Sequence, residues 1–285
     1  MAGIIHETDV RPALTDDAHR RYCYIDFTKE MPFARATSTP MGNPTGTAGD
    51  VNTLQCGPYQ LQYHVLGTQT ILAPKRTDTG LDISQDQTDN DGVEYTTGCE
   101  DPANTVISDT AGSSRGTFKV GTDPNFGCAL KLKITDVSGT DDCTWGVRKA
   151  EAYQANVDDY DEAAFLNVIL GDINIETILN GAATTTTDTT DNWADAATKT
   201  LGIIVDSDGT ISQDGTVGKV YMFIDGLTPT TLATTRFKFD NAELVQPFQF
   251  FLQATTSPGA VEYIEWESGL LPLPKLLSQY DTGAA

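Results

Sequence analysis

The chain has 285 residues and 39% hydrophobic content, enough to bury one large core or two small ones. Its 40 acidic and 18 basic residues leave a formal charge of −22, a surface that repels phosphate and anionic lipid, so binding to nucleic acid by charge neutralisation is not expected. No stretch approaches the roughly 20 consecutive apolar residues that span a bilayer, and a composition rich in Thr, Gly and Asp argues against a helical bundle.

Residues 1–57 do not alternate, carry Pro12, Pro32, Pro40 and Pro44, and include a Gly, Thr and Ser-rich tract, which reads as an extended N-terminal arm. The first residues, MAGIIHETDVRP, lack a basic region followed by an apolar run, so synthesis in a cytoplasm without a secretory signal is expected. Within the arm, Arg20-Arg21-Tyr22-Cys23-Tyr24-Ile25-Asp26-Phe27 is apolar enough to dock as one strand, and Met31-Pro32-Phe33 can follow it. Arg20, Arg21, Tyr24, Phe27 and Phe33 are therefore the candidate partner-binding residues. Two readings stay open: the arm reaches a neighbouring subunit, where its main chain finds partners, or it lies along its own domain as an edge strand. Residues 1–35 hold five basic and six acidic side chains, so almost all the net charge belongs to the body.

The body spans residues 58–274, followed by a short C-terminal tail over 275–285. Residues 59–72 alternate in part, at Leu61, Tyr63 and Val65, and read as its first strand. QDQTDNDG then supplies a turn before Val93-Glu94-Tyr95. Its Asp86, Asp89 and Asp91 invite a calcium reading, as do Asp206 and Asp208. Neither place sets the glycine and the terminal bidentate Glu of a calcium loop where that loop needs them, so turn chemistry is the better account and no metal or other cofactor is expected.

Residues 116–120 and 129–135 read as strands, with Leu130, Leu132 and Ile134 on one face and Lys131 and Lys133 on the other. Residues 143–153 continue the sheet, presenting Trp145, Val147 and Lys149 to one side. Arg148 falls on the other side among apolar neighbours, where burial demands a carboxylate partner. Tyr160, Ala163, Ala164, Asn167 and Val168 recur at helical spacing behind Asp158, so a short helix or ordered loop is expected over 158–170. Residues 173–179 form a strand, Asn180-Gly181 a hairpin turn, and residues 184–190 a Thr-rich strand at an exposed face.

Residues 200–270 carry the clearest pattern. Leu201, Ile203 and Val205 share one face of a strand, and Val220, Met222 and Ile224 alternate with Tyr221, Phe223 and Asp225 in the next. The period is two, not 3.6, and the fold class expected is all-β: an antiparallel β-sandwich.

The succession of strand, Asp-Gly turn, Tyr221-Met222-Phe223-Ile224-Asp225-Gly226, then Phe237-Lys238-Phe239-Asp240 and Pro247-Phe248-Gln249-Phe250-Phe251, then Trp266-Glu267, resembles the second half of a concanavalin-like (laminin-G-like) jelly roll. Together with Trp145 to Tyr153, Asp159-Tyr160, Gly171-Asp172-Ile173 and Thr189 to Trp193, it also resembles structural proteins of tailed phages, marine and cyanobacterial ones especially. That resemblance implies a virion component, a capsid decoration or cement protein on the capsid exterior. Its implied partners are the major capsid protein and neighbouring copies of itself.

Catalysis lacks residues in the sequence. Glu265 and Glu267 alternate onto one face with Glu262 on the other, and the Glu-x-Asp-x-x-Glu pattern of laminarinase-like enzymes is not reproduced. The three histidines, His6, His19 and His64, are scattered, and no phosphate loop is present. The five cysteines, Cys23, Cys56, Cys99, Cys128 and Cys143, are widely spaced and read as buried thiols; one bridge, Cys128 to Cys143, stays open. The alternative function is a glycan- or receptor-binding module using Trp193, Trp266 or Tyr221 as stacking platforms, although large aromatics at these spacings are more often core.

Overall fold

A computed structural model describes residues 22–29, 51–56, 59–67, 74–83, 90–97, 116–212 and 214–277. Sixteen strands are seen there: β1 Cys23–Asp26, β2 Val51–Cys56, β3 Tyr59–Leu66, β4 Lys75–Arg76, β5 Leu81–Asp82, β6 Gly92–Thr96, β7 Phe118–Lys119, β8 Phe126–Ile134, β9 Thr140–Lys149, β10 Ala163–Ile169, β11 Asp172–Ile178, β12 Thr185–Asn192, β13 Thr198–Asp206, β14 Lys219–Ile224, β15 Leu244–Gln253 and β16 Val261–Leu270. All pairings are antiparallel. The first sheet runs β14-β13-β8-β16-β5-β4, and β1 joins it beside β5 on the same edge of β16. The second runs β12-β11-β10-β9-β15-β6-β3-β2, with β7 on β15. The two sheets pack face to face as an antiparallel β-sandwich, the all-β class the alternation predicts.

Period-two alternation positions the core between the sheets. Leu130, Leu132 and Ile134 of β8, Leu201, Ile203 and Val205 of β13, and Val220, Met222 and Ile224 of β14 all belong to one buried cluster with Val147, Leu166, Val168 and Val245 from the second sheet. At its centre Trp145 and Trp266 meet edge to face, ring centroids 4.5 Å apart at 85°. Each indole buries about 200 Å² of side chain, worth about 5 kcal/mol at ~25 cal/mol/Å², so this pair anchors one sheet on the other.

Apolar packing continues on the outside of both sheets. Tyr160, Phe165, Phe248 and Phe250 form a second buried cluster on the outer face of the second sheet. Ala129, Ile204, Tyr221 and Phe223 form a third on the first sheet, beneath Leu273 and Leu277 of the C-terminal segment.

Two expectations are corrected. Residues 158–170 hold no α-helix: a 3-10 turn at Val157–Asp159 leads into β10, and Ala163, Ala164, Phe165, Leu166, Asn167 and Val168 are all buried. A strand buried on both faces has no polar side, so its apolar residues fall at helical as well as strand spacings. The strand expected over 116–120 is reduced to Phe118–Lys119. Cys128 and Cys143 are both free and buried, as the reading of the cysteines as buried thiols expects, so the bridge left open between them does not form. Val51–Cys56, within the stretch read as arm, is paired with β3. The Asn180-Gly181 turn is present, its two residues at φ 53° and 64° as a two-residue hairpin turn requires.

Candidate functional site

The outer face of the second sheet carries the densest set of polar side chains. Arg148 on β9 and Glu94 on β6 are both fully buried, with Nε donating to Oε1 over 2.8 Å. The guanidinium also donates to the carbonyls of Lys149 at 2.9 Å and Glu151 at 3.2 Å. The Tyr160 hydroxyl donates to the second oxygen of Glu94, and the Arg148 guanidinium lies 4.4 Å from the Tyr160 ring centroid. His64 stacks on Tyr153 at 4.7 Å, and Tyr153 in turn lies 5.4 Å from the guanidinium. Burial holds the Tyr160 phenol well above its ordinary range. The expected carboxylate partner of Arg148 is thus Glu94. The cluster is closed to solvent, so its chemistry is that of a structural ion pair.

Next to it on β9, β10, β11 and β12 lies a row of amide, carboxyl and hydroxyl groups. Asn167 donates from Nδ2 to Asp142 Oδ1 at 2.6 Å and to Glu176 Oε2 at 2.8 Å, and its Oδ1 accepts from the Cys143 amide at 3.0 Å. Thr186 Oγ1 donates to Glu176 Oε1 at 3.1 Å. Burial pushes the Asp142 carboxyl up to about 6, against the lowering effect of its Asn167 hydrogen bond. Such a row can accept hydroxyl hydrogens. Among the described residues no set of three His, Cys, Asp or Glu side chains is placed to hold a metal ion.

The outer face of the first sheet holds the three glutamates weighed for catalysis. A bulge between Tyr263 and Glu265 inserts one residue, so Glu262 faces outward together with Glu265 and Glu267 instead of opposite them. All three are committed. Glu262 meets Lys133 Nζ at 3.4 Å and accepts from the Thr79 hydroxyl at 2.7 Å. Glu265 meets Lys131 Nζ at 3.2 Å and accepts from the Tyr24 hydroxyl at 2.7 Å. The buried Glu267 accepts from the Tyr22 hydroxyl at 2.8 Å and from the amides of Lys275 at 3.1 Å and Leu276 at 2.6 Å. This face offers no free acid and nucleophile pair of the kind glycoside hydrolysis needs.

Of the predicted partner-binding residues, Tyr24 projects outward to Glu265, whereas Phe27 is fully buried against Tyr263, ring centroids 5.9 Å apart. The two are held by β1 on opposite sides of the first sheet. Arg20, Arg21 and Phe33 lie outside the described residues, as do Asp86, Asp89, His6 and His19. Asp206 and Asp208 are spent on turns: Asp206 accepts from the amides of Ile211 at 3.1 Å and Ser212 at 2.7 Å, and Asp208 from Thr210 at 3.0 Å. Trp193, Trp266 and Tyr221 are all buried and cannot serve as stacking platforms, because each completes a hydrophobic cluster.

The exposed apolar side chains lie elsewhere. Leu227 and Leu232 are 68% and 42% exposed in the segment after β14, and Leu170 and Leu179 are exposed in the turns flanking β11. Leu232 rims a cleft of about 40 Å³ where the sandwich opens between β11 and β14, lined by Ile175, Val220, Met222 and Phe237. Arg236 stands at its mouth, the guanidinium 4.1 Å from the Tyr221 centroid. The same segment covers part of the outer edge of β12, where the Thr231 amide donates to the Thr189 carbonyl at 2.9 Å. Sequence alternation could not reveal this edge, since it depends on which strands end the two sheets.

No protein-family profile matches the chain, and no curated protein sequence matches it. Solved structures do. The carbohydrate recognition domain of Emp47p is 10% identical with a TM-score of 0.46, over 90% of this chain and 96% of that one. The legume lectin-like domain from Entamoeba histolytica is 9% identical with a TM-score of 0.45, over 73% of this chain and 90% of that one. A protein of unknown function from Shewanella oneidensis MR-1 is 14% identical with a TM-score of 0.45, over 95% of each. What this chain shares with them is a two-sheet β-sandwich.

Proposed function

We propose that the chain is a non-enzymatic structural protein of a tailed-phage virion, one that decorates the outer surface of the capsid and stabilises the shell. The resemblance of its sequence phrases to such proteins supplies the assignment. The observation that supports it best is that much of the outer face of each sheet is filled, by an aromatic cluster and by ion pairs whose members are already bonded. The exposed leucines sit instead on loops and at an edge, where contacts to a neighbouring subunit form without opening the sandwich. Contacts of this size are individually weak, and a lattice multiplies them through avidity.

A glycan- or receptor-binding role is the second reading. The row Asn167, Asp142, Glu176 and Thr186 favours it, since these side chains gather hydroxyl-accepting oxygens on one face. Cryo-electron microscopy of the particle that carries the chain separates the two. Sandwich density on the shell at capsomer junctions is expected. Density at the tail, with selective binding of the purified chain on a glycan array, would replace the decoration role by the second reading.

A further inference from the structure

At the rim of the core, three strands of the second sheet bring together groups that neither the ion pairs nor the hydroxyl-accepting row uses. Lys149 ends β9, two residues after the buried Val147; Glu162 stands two residues before the buried Ala164 of β10; Glu243 stands two residues before the buried Val245 of β15. Backbone bonds fix this neighbourhood, from the Lys149 amide to the Glu162 carbonyl and from the Ala150 amide to the Leu244 carbonyl, both 2.8 Å. Glu162 is 1% exposed and the Glu243 side chain 14%. Both Oε2 atoms are buried with no hydrogen-bond partner among the described residues, and Glu243 is the side chain that acts most on the Glu162 carboxyl.

Two adjacent buried carboxylates cannot both ionise without a large repulsion, and a hydrogen bond between them needs a proton. Lys149 compensates one negative charge, not two: its Nζ lies 3.0 Å from Glu243 Oε1 and 2.5 Å from Asp161 Oδ2. The remaining charged groups nearby are mostly acidic. Asp161 and Glu151 come from the segment crossing before β10, where Glu151 Oε1 accepts the Asp161 amide at 2.7 Å, and Asp240 comes from the turn before β15. On the far side β7 brings Lys119 into register with Leu244.

We propose that Glu162 and Glu243 share one proton and act as an alkaline-sensitive latch, holding the crossing segment 150–162 against β15. When the proton leaves to solvent, the two carboxylates repel, and the cover over the Arg148 and Glu94 pair loosens. Burial, with the Glu243 contact next, pushes the Glu162 carboxyl up to about 8. The sign follows: between the ordinary carboxylate range and that value the folded chain binds a proton the unfolded chain has lost, so stability falls as pH rises through this window.

The test is the melting temperature of the full chain from pH about 6.5 to about 9, a range above the Asp142 titration, for the wild type and E162Q. The Gln amide can donate to Glu243 at every pH. A wild-type Tm that falls by several degrees while E162Q stays level is expected, with hydrogen exchange of residues 150–162, corrected for intrinsic rates, rising only in the wild type. A wild type that stays level, or falls in parallel with E162Q, overturns the proposal. So does recovery of the wild-type Tm at high pH on adding calcium, which would make the pair a cation site. If E162Q fails to fold, E243Q carries the same comparison.

Discussion

Arg148 and Glu94 meet through a 2.8 Å hydrogen bond with neither side chain reaching solvent, although 54 residues separate them in the chain. Removing the cation leaves a buried carboxylate beside the Tyr160 hydroxyl without its counter-charge, and removing the anion does the same to the guanidinium. Breaking such a pair costs about 3–5 kcal/mol, whereas replacing both members by apolar residues of similar volume is often neutral. Arg148→Met is therefore expected to lose about 4 kcal/mol in urea unfolding, and Arg148→Lys to recover little, because a lysine cannot reach the carbonyls of Lys149 and Glu151 while bonded to Glu94. The double variant R148M/E94M should lie closer to the wild type than R148M does. Full rescue by lysine would show that charge alone matters at this position.

Asp142 ties acid stability to the Asn167 row. Its carboxyl is raised to about 6 from an ordinary 3.8, chiefly by burial. The folded chain therefore holds a proton that the unfolded chain releases, and this contribution is present in full below pH 3.8 and lost as pH rises through about 6. Asp142→Asn, which keeps an oxygen to accept from Asn167, is expected to be more stable than the wild type at pH 7 by about 2 kcal/mol. The advantage should vanish below pH about 4, which denaturant midpoints at the two pH values would reveal.

Glu267 joins the start of the described N-terminal strand to the C-terminal segment. One carboxylate takes the Tyr22 hydroxyl and the amides of Lys275 and Leu276, and that segment places Leu273 and Leu277 over Phe223. Glu267→Ala leaves three donors without their acceptor, so a loss of about 3 kcal/mol is expected. Faster proteolysis within residues 271–277 should accompany it. Tyr22→Phe removes one donor and should cost about 1 kcal/mol with the segment still protected. Equal proteolysis of the two variants would mean that Glu267 does not hold the segment.

How much of this was legible follows from the kind of signal. β8 has one polar and one apolar side for part of its length, so Lys131 against Leu130 and Leu132 announced both strand and facing. β10 has no polar side, and its buried Asn167 completed a spacing that also suits a helix. The bulge at Tyr263 and Glu265 adds one residue without any local mark, and that single residue turned Glu262 to the face of Glu265. Arg148 told of a carboxylate partner through its apolar neighbours. Glu94 as that partner, and Glu162 against Glu243, depend on strand order, which no local pattern contains.

The exposed leucines distinguish assembly from folding. Leu227 is 68% and Leu232 42% exposed and neither belongs to a buried cluster, so Leu227→Ser and Leu232→Ser together should cost no more than about 1 kcal/mol in urea unfolding. If the edge between β11 and β14 meets a capsid or a neighbouring copy, the same double variant loses apolar contact at that interface. It should then be retained poorly on capsids stripped of the native chain and sedimented with the variant, while wild-type chain rebinds. A matching control, Asp172→Asn at an exposed position of β11 away from the cleft, should rebind as the wild type does. Normal rebinding by the leucine variant would move the contact away from this edge. Failure to rebind combined with lost stability would return both leucines to a folding role.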